Sequence, residues 1–260
     1  MGNITLTRDG AIARISIDNP ARYNAMSMSM WTALGDAVAA IDQDPDVRVV
    51  LLRGTGEKAF VSGADISEFD AQRSSADGAT AYNNAVHRAE TGLANCSKPV
   101  VACIHGVCMG GGIGLALACD LRYAAKNARF RMPAGRLGLG YAFEGMQRWI
   151  DVIGAPRTAE IFYTARSFDG SEAERISLVH QAYDSADLDA KVEEVLQQIA
   201  INAPLTIHAA KIAIGQALLN PEARDMASVG QAIKACFDSG DYAEGRRAFA
   251  EKRVPVFTGK

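Results

Sequence analysis

The sequence predicts an α/β core that is followed by a C-terminal helical segment. Up to residue 190, short apolar runs bounded by Gly or Pro alternate with stretches of helical periodicity. Beyond that point the strand signals end and three helical patterns follow, over residues 187–202, 205–219 and 222–238. Alternating strands and helices are typical of α/β proteins. We therefore expect two parts, a core over residues 1–190 and a helical segment over residues 191–260.

The predicted core begins with three strands that are separated by two helices. Residues 11–17 alternate apolar and polar side chains, which indicates a half-exposed strand. Residues 47–52 and 100–104 are nearly continuous apolar runs, which indicates strands that are buried on both faces. The helices are predicted over residues 27–41 and 79–93, where apolar side chains recur at helical spacing.

The composition excludes several classes of protein. The 260 residues carry 27 Lys and Arg against 30 Asp and Glu, which is not the basic balance of a nucleic-acid-binding protein. No apolar run reaches the roughly 18 residues that a membrane span needs, and the first ten residues lack the apolar centre of a signal peptide. The five cysteines include no Cys-x-x-Cys pair, which favours free thiols. The sequence also lacks a His-x-x-x-His pair, so no metal site is predicted. We therefore expect a cytoplasmic globular protein.

Two glycine-rich segments, residues 54–65 and 105–114, each follow a predicted strand. Neither fits the dinucleotide, phosphate-loop or nucleophile-elbow motifs, since Leu115 stands where the dinucleotide motif needs its third glycine. Glycines at a helix start let the main chain approach a ligand, and the free N–H groups there can bind an anion. Two such N–H groups would form an oxyanion hole. The alternative is that Gly110–Gly112 only allow close packing of a helix on a strand.

Five phrases along the chain resemble those of the crotonase superfamily, the enoyl-CoA hydratase/isomerase family. They occur in the order of that family, at residues 19–26, 58–66, 104–112, 119–122 and 251–257. The resemblance implies a crotonase-type ββα spiral core and a coenzyme A thioester as substrate, with no cofactor besides the coenzyme A of that substrate. It also implies a homotrimer or a hexamer built from two trimers, with no nucleic-acid or membrane partner.

The resemblance implies a set of site residues as well. The N–H groups of Ser62 and Gly111 correspond to the oxyanion donors of the family. The residues expected to contact coenzyme A are Arg22, Ala25, Ser62, Gly63, Ala64, Asp65, Ile66, Gly110 and Gly111.

The sequence departs from the hydratases of this family at two positions. Gly114 and Ala134 stand where the resemblance implies two glutamates that handle a water molecule. Neither residue can act as a general acid or base. Glu144, at the start of a predicted helix, is the carboxylate that remains as a candidate base, although it could equally be an acid stabilised by the helix dipole. A single base suffices for a proton shift, so the favoured reaction is isomerisation of a 3-enoyl-CoA to a 2-enoyl-CoA.

Two alternatives stay open at this point. The first is an enoyl-CoA hydratase with a non-standard acid or base, and the second is an acyl-CoA-binding protein that has lost its chemistry. His87 is a weaker catalytic candidate, because some family members use a residue at this place. Tyr141 and Trp149 are aromatic residues of either the pocket or the core.

Overall fold

The computed structural model describes residues 2–65 and 76–260, and within them ten strands form two sheets. The six-stranded sheet has the order β1-β2-β3-β5-β7-β10, and all of its neighbouring strands are parallel except the antiparallel pair β1-β2. Its strands are β1 Asn3–Asp9, β2 Ile12–Asp18, β3 Val49–Gly54, β5 Val100–Ile104, β7 Leu121–Ala125 and β10 Gln181–Tyr183. The four-stranded sheet, of order β4-β6-β8-β9, contains β4 Ala59–Val61, β6 Val107–Met109, β8 Arg129–Arg131 and β9 Ser167–Asp169.

The helices of the described residues complete a repeating arrangement. Three times in succession, one strand of the large sheet leads to one strand of the small sheet and then to a helix. This is the ββα spiral that was expected from the sequence. The helices are α1 Met28–Gln43, α2 Ala76–Asn95, α3 Gly111–Ala118, α4 Ala134–Leu137, α5 Phe143–Thr164, α6 Gly170–Arg175, α7 Ser185–Ile201, α8 Pro204–Leu218, α9 Met226–Asp238 and α10 Gly240–Glu251.

Most of the predicted elements are present, with shifted ends. The strand β5 lies at the predicted residues, and α1 begins after Ser27, whose hydroxyl accepts a hydrogen bond from the Met30 N–H. The helix predicted from residue 222 begins instead at Met226, because the Asp225 carboxylate caps it by accepting from the Ser228 N–H. The strand β1 was not predicted, since six of its seven residues are exposed and its apolar alternation is limited to Ile4 and Leu6.

The predicted boundary at residue 190 falls inside α7 and needs correction. Leu188, Val192 and Leu196 of this helix are at most 1% exposed and belong to the hydrophobic core. The helix packs against β3, β5, β7 and β10 of the large sheet. Burying each such side chain contributes about 1.5–3 kcal/mol to stability, so α7 is part of the core and the helical segment begins with α8.

The core also accounts for the cysteines. All five are free, and Cys96, Cys103, Cys108 and Cys119 are buried while Cys236 is half-buried.

Among the described residues, no helix is both long enough and apolar enough to cross a lipid bilayer.

Candidate active site

The segment of residues 19–26 holds the first glycine-rich segment in place. Met26 pairs with the extended chain opposite, because its N–H donates to the Gly63 carbonyl at 2.9 Å and its carbonyl accepts from the Asp65 N–H at 2.9 Å. The Ser62 N–H donates to the Tyr23 carbonyl at 3.1 Å. Residues 62–65 are therefore fixed as an additional strand-like stretch beside residues 23–26.

These bonds correct the role predicted for Ser62. Its N–H is already bonded to Tyr23 and faces away from the second glycine-rich segment. The Gly63 carbonyl and the Asp65 N–H both face Met26. Since successive residues of an extended chain direct their backbone groups to opposite edges, the N–H of Ala64, which lies between them, points away from residues 23–26. The Ala64 N–H has no hydrogen-bond partner among the residues that the structure describes. The available donor of this segment is thus the amide of Ala64.

Asn24 anchors the whole segment. It is 1% exposed, and its carboxamide oxygen accepts from the Asn19 N–H at 2.9 Å. Its amide nitrogen donates to the carbonyl groups of Ala59 at 2.7 Å and Thr55 at 3.1 Å. Tyr23 and Asn24 both have left-handed backbone angles, with φ of 53° and 55°, a conformation that Asn tolerates better than most residues. One buried side chain therefore joins the turn at residues 19–24 to both ends of the loop before β4.

The glycines at the start of α3 are required for different reasons. Gly110 has φ of 52° and ψ of −117°, and its N–H donates to the Arg131 carbonyl at 3.0 Å. A Cβ on Gly112 would overlap the Val61 carbonyl oxygen, so this glycine does permit close packing of α3 on β4. Gly111 is the first residue of the helix, and its N–H has no partner within the described ranges. The packing explanation therefore applies to Gly112, whereas the N–H of Gly111 remains available to a ligand.

The two available amides lie at the same end of neighbouring strands. The strands β4 and β6 are parallel and pair through Val61 and Cys108. A Cβ on Gly63 would lie 3.5 Å from the Met109 carbonyl oxygen, which shows how closely the chains run as they leave these strands. The Ala64 N–H faces this side, and the Gly111 N–H adds the positive end of the α3 dipole. The arrangement can bind an oxygen atom that carries negative charge.

The residues predicted to contact coenzyme A form one cluster beside these amides. Arg22 makes an ion pair with Asp65, with 2.6 Å between Nη1 and Oδ2. The Ser62 hydroxyl donates to the Arg22 carbonyl at 3.2 Å, and Ala25 is buried next to the Met26 bridge. The side chain of Arg22 is 54% exposed. Ile66 lies outside the described residues.

A carboxylate that was not predicted lies against Gly114. A Cβ on Gly114 would overlap Glu90 Oε1, and the Tyr141 hydroxyl would be 3.6 Å from that Cβ. Glu90 is on α2, and its other oxygen, Oε2, accepts from Arg148 Nη1 at 2.8 Å. The side chain of Glu90 is 13% exposed and that of Arg148 is 20% exposed. A single glutamate within a polar helix gives no sequence signal, so only the packing of α2 on α3 reveals it.

The surroundings of Glu90 are largely apolar and buried. Burial raises the pKa of the Glu90 carboxyl, and the charge of Arg148 opposes this shift without cancelling it. Burial and then the negative charge of Glu90 raise the pKa of Tyr141 to about 12. The Trp149 indole N–H interacts with the Tyr141 hydroxyl but makes no hydrogen bond of standard geometry in the described part of the chain. Trp149 thus belongs to the hydrophobic core, and Tyr141, which packs against that core, is the aromatic residue beside this carboxyl group.

The other predicted residues lie outside that cluster. Glu144 is the second residue of α5 and is exposed, and its side chain makes no hydrogen bond or ion pair with a described residue. His87 is also exposed, with its Nε2 atom 3.5 Å from the Thr91 hydroxyl. Ala134 is buried at the first residue of α4, so this position offers no carboxylate.

A second group of polar side chains lies between β5 and α7. Donor atoms of Cys103, His105 and Asp189 are within 4.8 Å of one another. His105 Nε2 is 3.0 Å from Asp189 Oδ1, and Arg53 is 3.3 Å from the other carboxylate oxygen. Burial raises the pKa of the Cys103 thiol far above its ordinary value, which disfavours the thiolate that a metal would need. These groups fit a hydrogen-bond network that ties β5 to α7.

Comparisons with known proteins agree on one family. The sequence model of the family described as enoyl-CoA hydratase/isomerase matches residues 7–260. The short-chain-enoyl-CoA hydratase of Clostridium acetobutylicum is 32% identical over 255 residues, which cover 97% of this chain and 96% of that protein. The peroxisomal Delta(3,5)-Delta(2,4)-dienoyl-CoA isomerase of Arabidopsis thaliana is 31% identical over 260 residues, covering 96% of this chain and 93% of that protein.

The solved structures lead to the same assignment. A crystal structure of an enoyl-CoA hydratase/carnithine racemase from Magnetospirillum magneticum superimposes with a TM-score of 0.95 at 37% identity. It covers 100% of this chain, and this chain covers 97% of it. Similarity in sequence and in structure thus extends over nearly the whole length. The chain belongs to the enoyl-CoA hydratase/isomerase family of the crotonase superfamily.

Proposed function

We propose that this protein moves a proton of an acyl-CoA thioester, with the thioester oxygen held by the N–H groups of Ala64 and Gly111. The observation that carries this proposal is the pair of available amides at neighbouring strand ends. The favoured reaction is isomerisation of a 3-enoyl-CoA to a 2-enoyl-CoA. The coenzyme A part of the substrate lies along residues 22–25 and 62–65, with Arg22 beside its phosphates.

The chemistry fits two backbone donors. When a base removes the proton from C2 of a thioester, the electron pair moves toward the carbonyl and negative charge builds on its oxygen. Two N–H groups aimed at this oxygen stabilise the enolate more than the neutral thioester, and each contributes about 3–4 kcal/mol to lowering the barrier. The same proton can return at C4, which moves the double bond from C3=C4 to C2=C3. The proposed reaction uses no cofactor, because coenzyme A is part of the substrate.

Hydration is the second candidate reaction. The relative from Clostridium acetobutylicum is named a hydratase, which favours this candidate. Against it, Gly114 and Ala134 carry no group that could activate a water molecule. A proton shift needs one base, whereas addition of water needs a base for the water and an acid for C2. We therefore rank isomerisation first.

Two substrates separate these reactions. We expect 3-enoyl-CoA to develop the absorbance of a conjugated thioester, while 2-enoyl-CoA is hydrated at least about 100-fold more slowly, since one acid–base group contributes that much. Fast hydration of 2-enoyl-CoA without isomerisation would overturn the proposal. If neither compound reacts while both bind, the protein is an acyl-CoA-binding member of the family.

A further inference from the structure

We propose that Glu90 is the base that takes the proton from C2 and returns it at C4, acting from the place where Gly114 has no side chain. This inference rests on the proposed function, because it assigns a residue to that reaction. The carboxylate reaches the site from α2 and not from α3 or α5, where the sequence led us to expect it.

The position of Gly114 places this carboxylate near the reacting carbon. Gly114 lies three residues after Gly111 on α3, so the two residues share one face of the helix at a separation of about 5–6 Å between their Cβ positions. Glu90 Oε1 occupies the place of a Cβ on Gly114. A thioester whose oxygen is bound at the Gly111 N–H has its C2 atom two bonds from that oxygen. The distances allow direct contact between the Glu90 carboxylate and C2.

The two oxygens of Glu90 have different surroundings. Oε2 accepts from Arg148, which fixes the side chain and favours its ionised form. Oε1 faces Gly114 and has no hydrogen-bond partner among the described residues. Oε1 is not fully enclosed by the protein, since the side chain of Glu90 keeps 13% of its surface exposed, so a ligand can contact this oxygen. One oxygen is therefore anchored and the other is available for a proton.

Gly114 leaves the space in which Glu90 Oε1 lies, because a Cβ at residue 114 would overlap this atom. Since Oε1 is the end of a flexible side chain, a larger residue at position 114 would displace the carboxylate rather than forbid its ion pair with Arg148. The glycine therefore determines where Oε1 lies. Glu144 differs, because its exposed side chain makes no hydrogen bond or ion pair in the described ranges.

The proposed step balances with one carboxylate. The Glu90 carboxylate takes H⁺ from C2, the C–H electron pair forms the enolate, and the negative charge passes from the carboxylate to the thioester oxygen. The neutral carboxylic acid then gives H⁺ to C4 while the enolate collapses to the conjugated thioester. Arg148 stays protonated throughout and holds Oε2.

The test measures exchange of the C2 hydrogens of butyryl-CoA with deuterium in D₂O, and binding of the same ester by calorimetry. Glu90→Gln should slow exchange by at least about 100-fold, the usual contribution of a general base, and leave Kd within about threefold. Glu90→Asp, which keeps a carboxylate at a shorter reach, should retain more exchange than Glu90→Gln. Asp36→Asn is the matched control. Asp36 is an exposed carboxylate on α1, and it forms an ion pair with Arg88 of α2, the helix that carries Glu90. This variant should leave exchange unchanged.

The outcomes distinguish a failure of the role assigned to Glu90 from a failure of the proposed function. If the wild-type protein exchanges and Glu90→Gln exchanges at a similar rate, the role of Glu90 is overturned and the proposed function stands. Loss of exchange in Glu144→Gln with retention in Glu90→Gln would assign the base to Glu144. If the wild-type protein binds butyryl-CoA without exchange, the proposed function itself fails. A crystal structure of the wild-type complex adds a readout that does not depend on folding of a variant: C2 beyond about 5 Å from Oε1, too far for direct transfer, would overturn the inference.

Discussion

At the scale of single residues, the start of α3 shows that neighbouring glycines are needed for unrelated reasons. Gly110 supplies a backbone conformation, Gly111 an available N–H, Gly112 room for the Val61 carbonyl and Gly114 room for Glu90. A count of glycines treats these positions as equivalent. Their consequences for stability and for activity differ, and each can be measured alone.

Gly112 is the glycine that we expect to matter most for packing. In Gly112→Ala the added Cβ would meet the backbone oxygen of Val61, which cannot move without shifting β4. We expect the free energy of unfolding to fall by about 1–3 kcal/mol, the usual cost of overpacking. Urea denaturation measures this change.

Gly230→Ala is the control for that substitution. Gly230 lies inside α9, and a Cβ there meets no atom within 4 Å. Because Ala is the better helix former, this variant should gain up to about 1 kcal/mol. Equal effects of the two substitutions would mean that helix propensity, and not the contact with Val61, decides the cost.

Glu90 should give the protein a particular dependence on pH. Its pKa is raised on folding, mainly by burial, so the proton is bound more tightly in the folded state. The resulting contribution to stability is complete below the unfolded pKa of about 4.3 and is lost as the pH rises through the folded pKa. Glu90→Gln removes this titration. We expect the stability of Glu90→Gln relative to the wild type to increase from about pH 4 to about pH 8.

Urea denaturation at about pH 4 and about pH 8 tests the direction of this change in relative stability. Glu160→Gln is a suitable comparison, because the pKa of Glu160 is lowered by its hydrogen bonds to Arg166 and Arg157. A carboxyl with a lowered pKa contributes stability that is present above the unfolded pKa and is lost as the pH falls. The two variants should therefore change in opposite directions. The same direction in both would contradict the shift that we assign to Glu90.

At the scale of elements, the buried side chain of Asn24 ties the segment before α1 to the loop that leads into β4. Asn24→Ala removes the donor to the Ala59 carbonyl and the acceptor for the Asn19 N–H. Unsatisfied buried groups cost about 1–3 kcal/mol, and the Met26–Ala64 pairing would lose its support. We expect lower stability together with weaker binding of butyryl-CoA, measured by denaturation and calorimetry.

Asn83→Ala provides the contrast for that prediction. Asn83 is exposed on α2 and takes no part in the site. Its replacement should change stability by no more than about 0.5 kcal/mol and leave binding of butyryl-CoA unaffected. If Asn24→Ala behaved in the same way, residues 19–26 would not be what holds the Ala64 amide in place.

Some elements of the fold could be predicted from the sequence and others could not. The strand β5 and the helix α1 were predictable, because a continuous apolar run and a helical stripe each reflect burial of a whole element. The exposed strand β1 carries only the short alternation of Ile4 and Leu6, and its backbone pairs with β2 along its whole length. The first glycine-rich segment was recognised from the sequence, but the N–H of Ser62 bonds to Tyr23, and the available amide lies two residues later at Ala64. Which of two amides is available depends on the bonds of residues 23–26, which lie far away in sequence.

Glu90, which we propose as the base, could not be predicted from the sequence either. The missing glutamate at Gly114 is visible in the sequence, and it is the reason why isomerisation was expected rather than hydration. The replacement from α2 is invisible there, because residue 90 meets residue 114 only when two helices pack. Local patterns therefore predict the elements and the family, whereas the chemistry depends on contacts between elements.

At the scale of the whole molecule, the C-terminal helices leave apolar side chains in solvent. Phe249 is 88% exposed, Ile214 is 65% exposed and Phe237 is 60% exposed. An apolar groove of about 640 Å³ runs between α8, α9 and α10 and includes Ile233 and Phe257 in its walls. Large exposed apolar patches on soluble proteins mark surfaces that bind another molecule. With the trimer or hexamer that the resemblance implies, we expect a second copy of this chain to cover this surface.

Light scattering after gel filtration measures the prediction directly. The wild-type protein should have the mass of three or six chains, and Phe249→Asp should reduce this mass, because a carboxylate buried at an apolar interface without a partner costs several kcal/mol. Leu6→Asp is the matched control, since Leu6 is an exposed apolar residue on β1, remote in sequence from the helical segment. A wild-type monomer at micromolar concentration would show that no second copy covers this surface. Dissociation by Leu6→Asp but not by Phe249→Asp would place the contact between copies elsewhere on the chain. The helical segment that follows the core is therefore expected to act between chains, while the oxyanion amides and Glu90 come from the core of one chain.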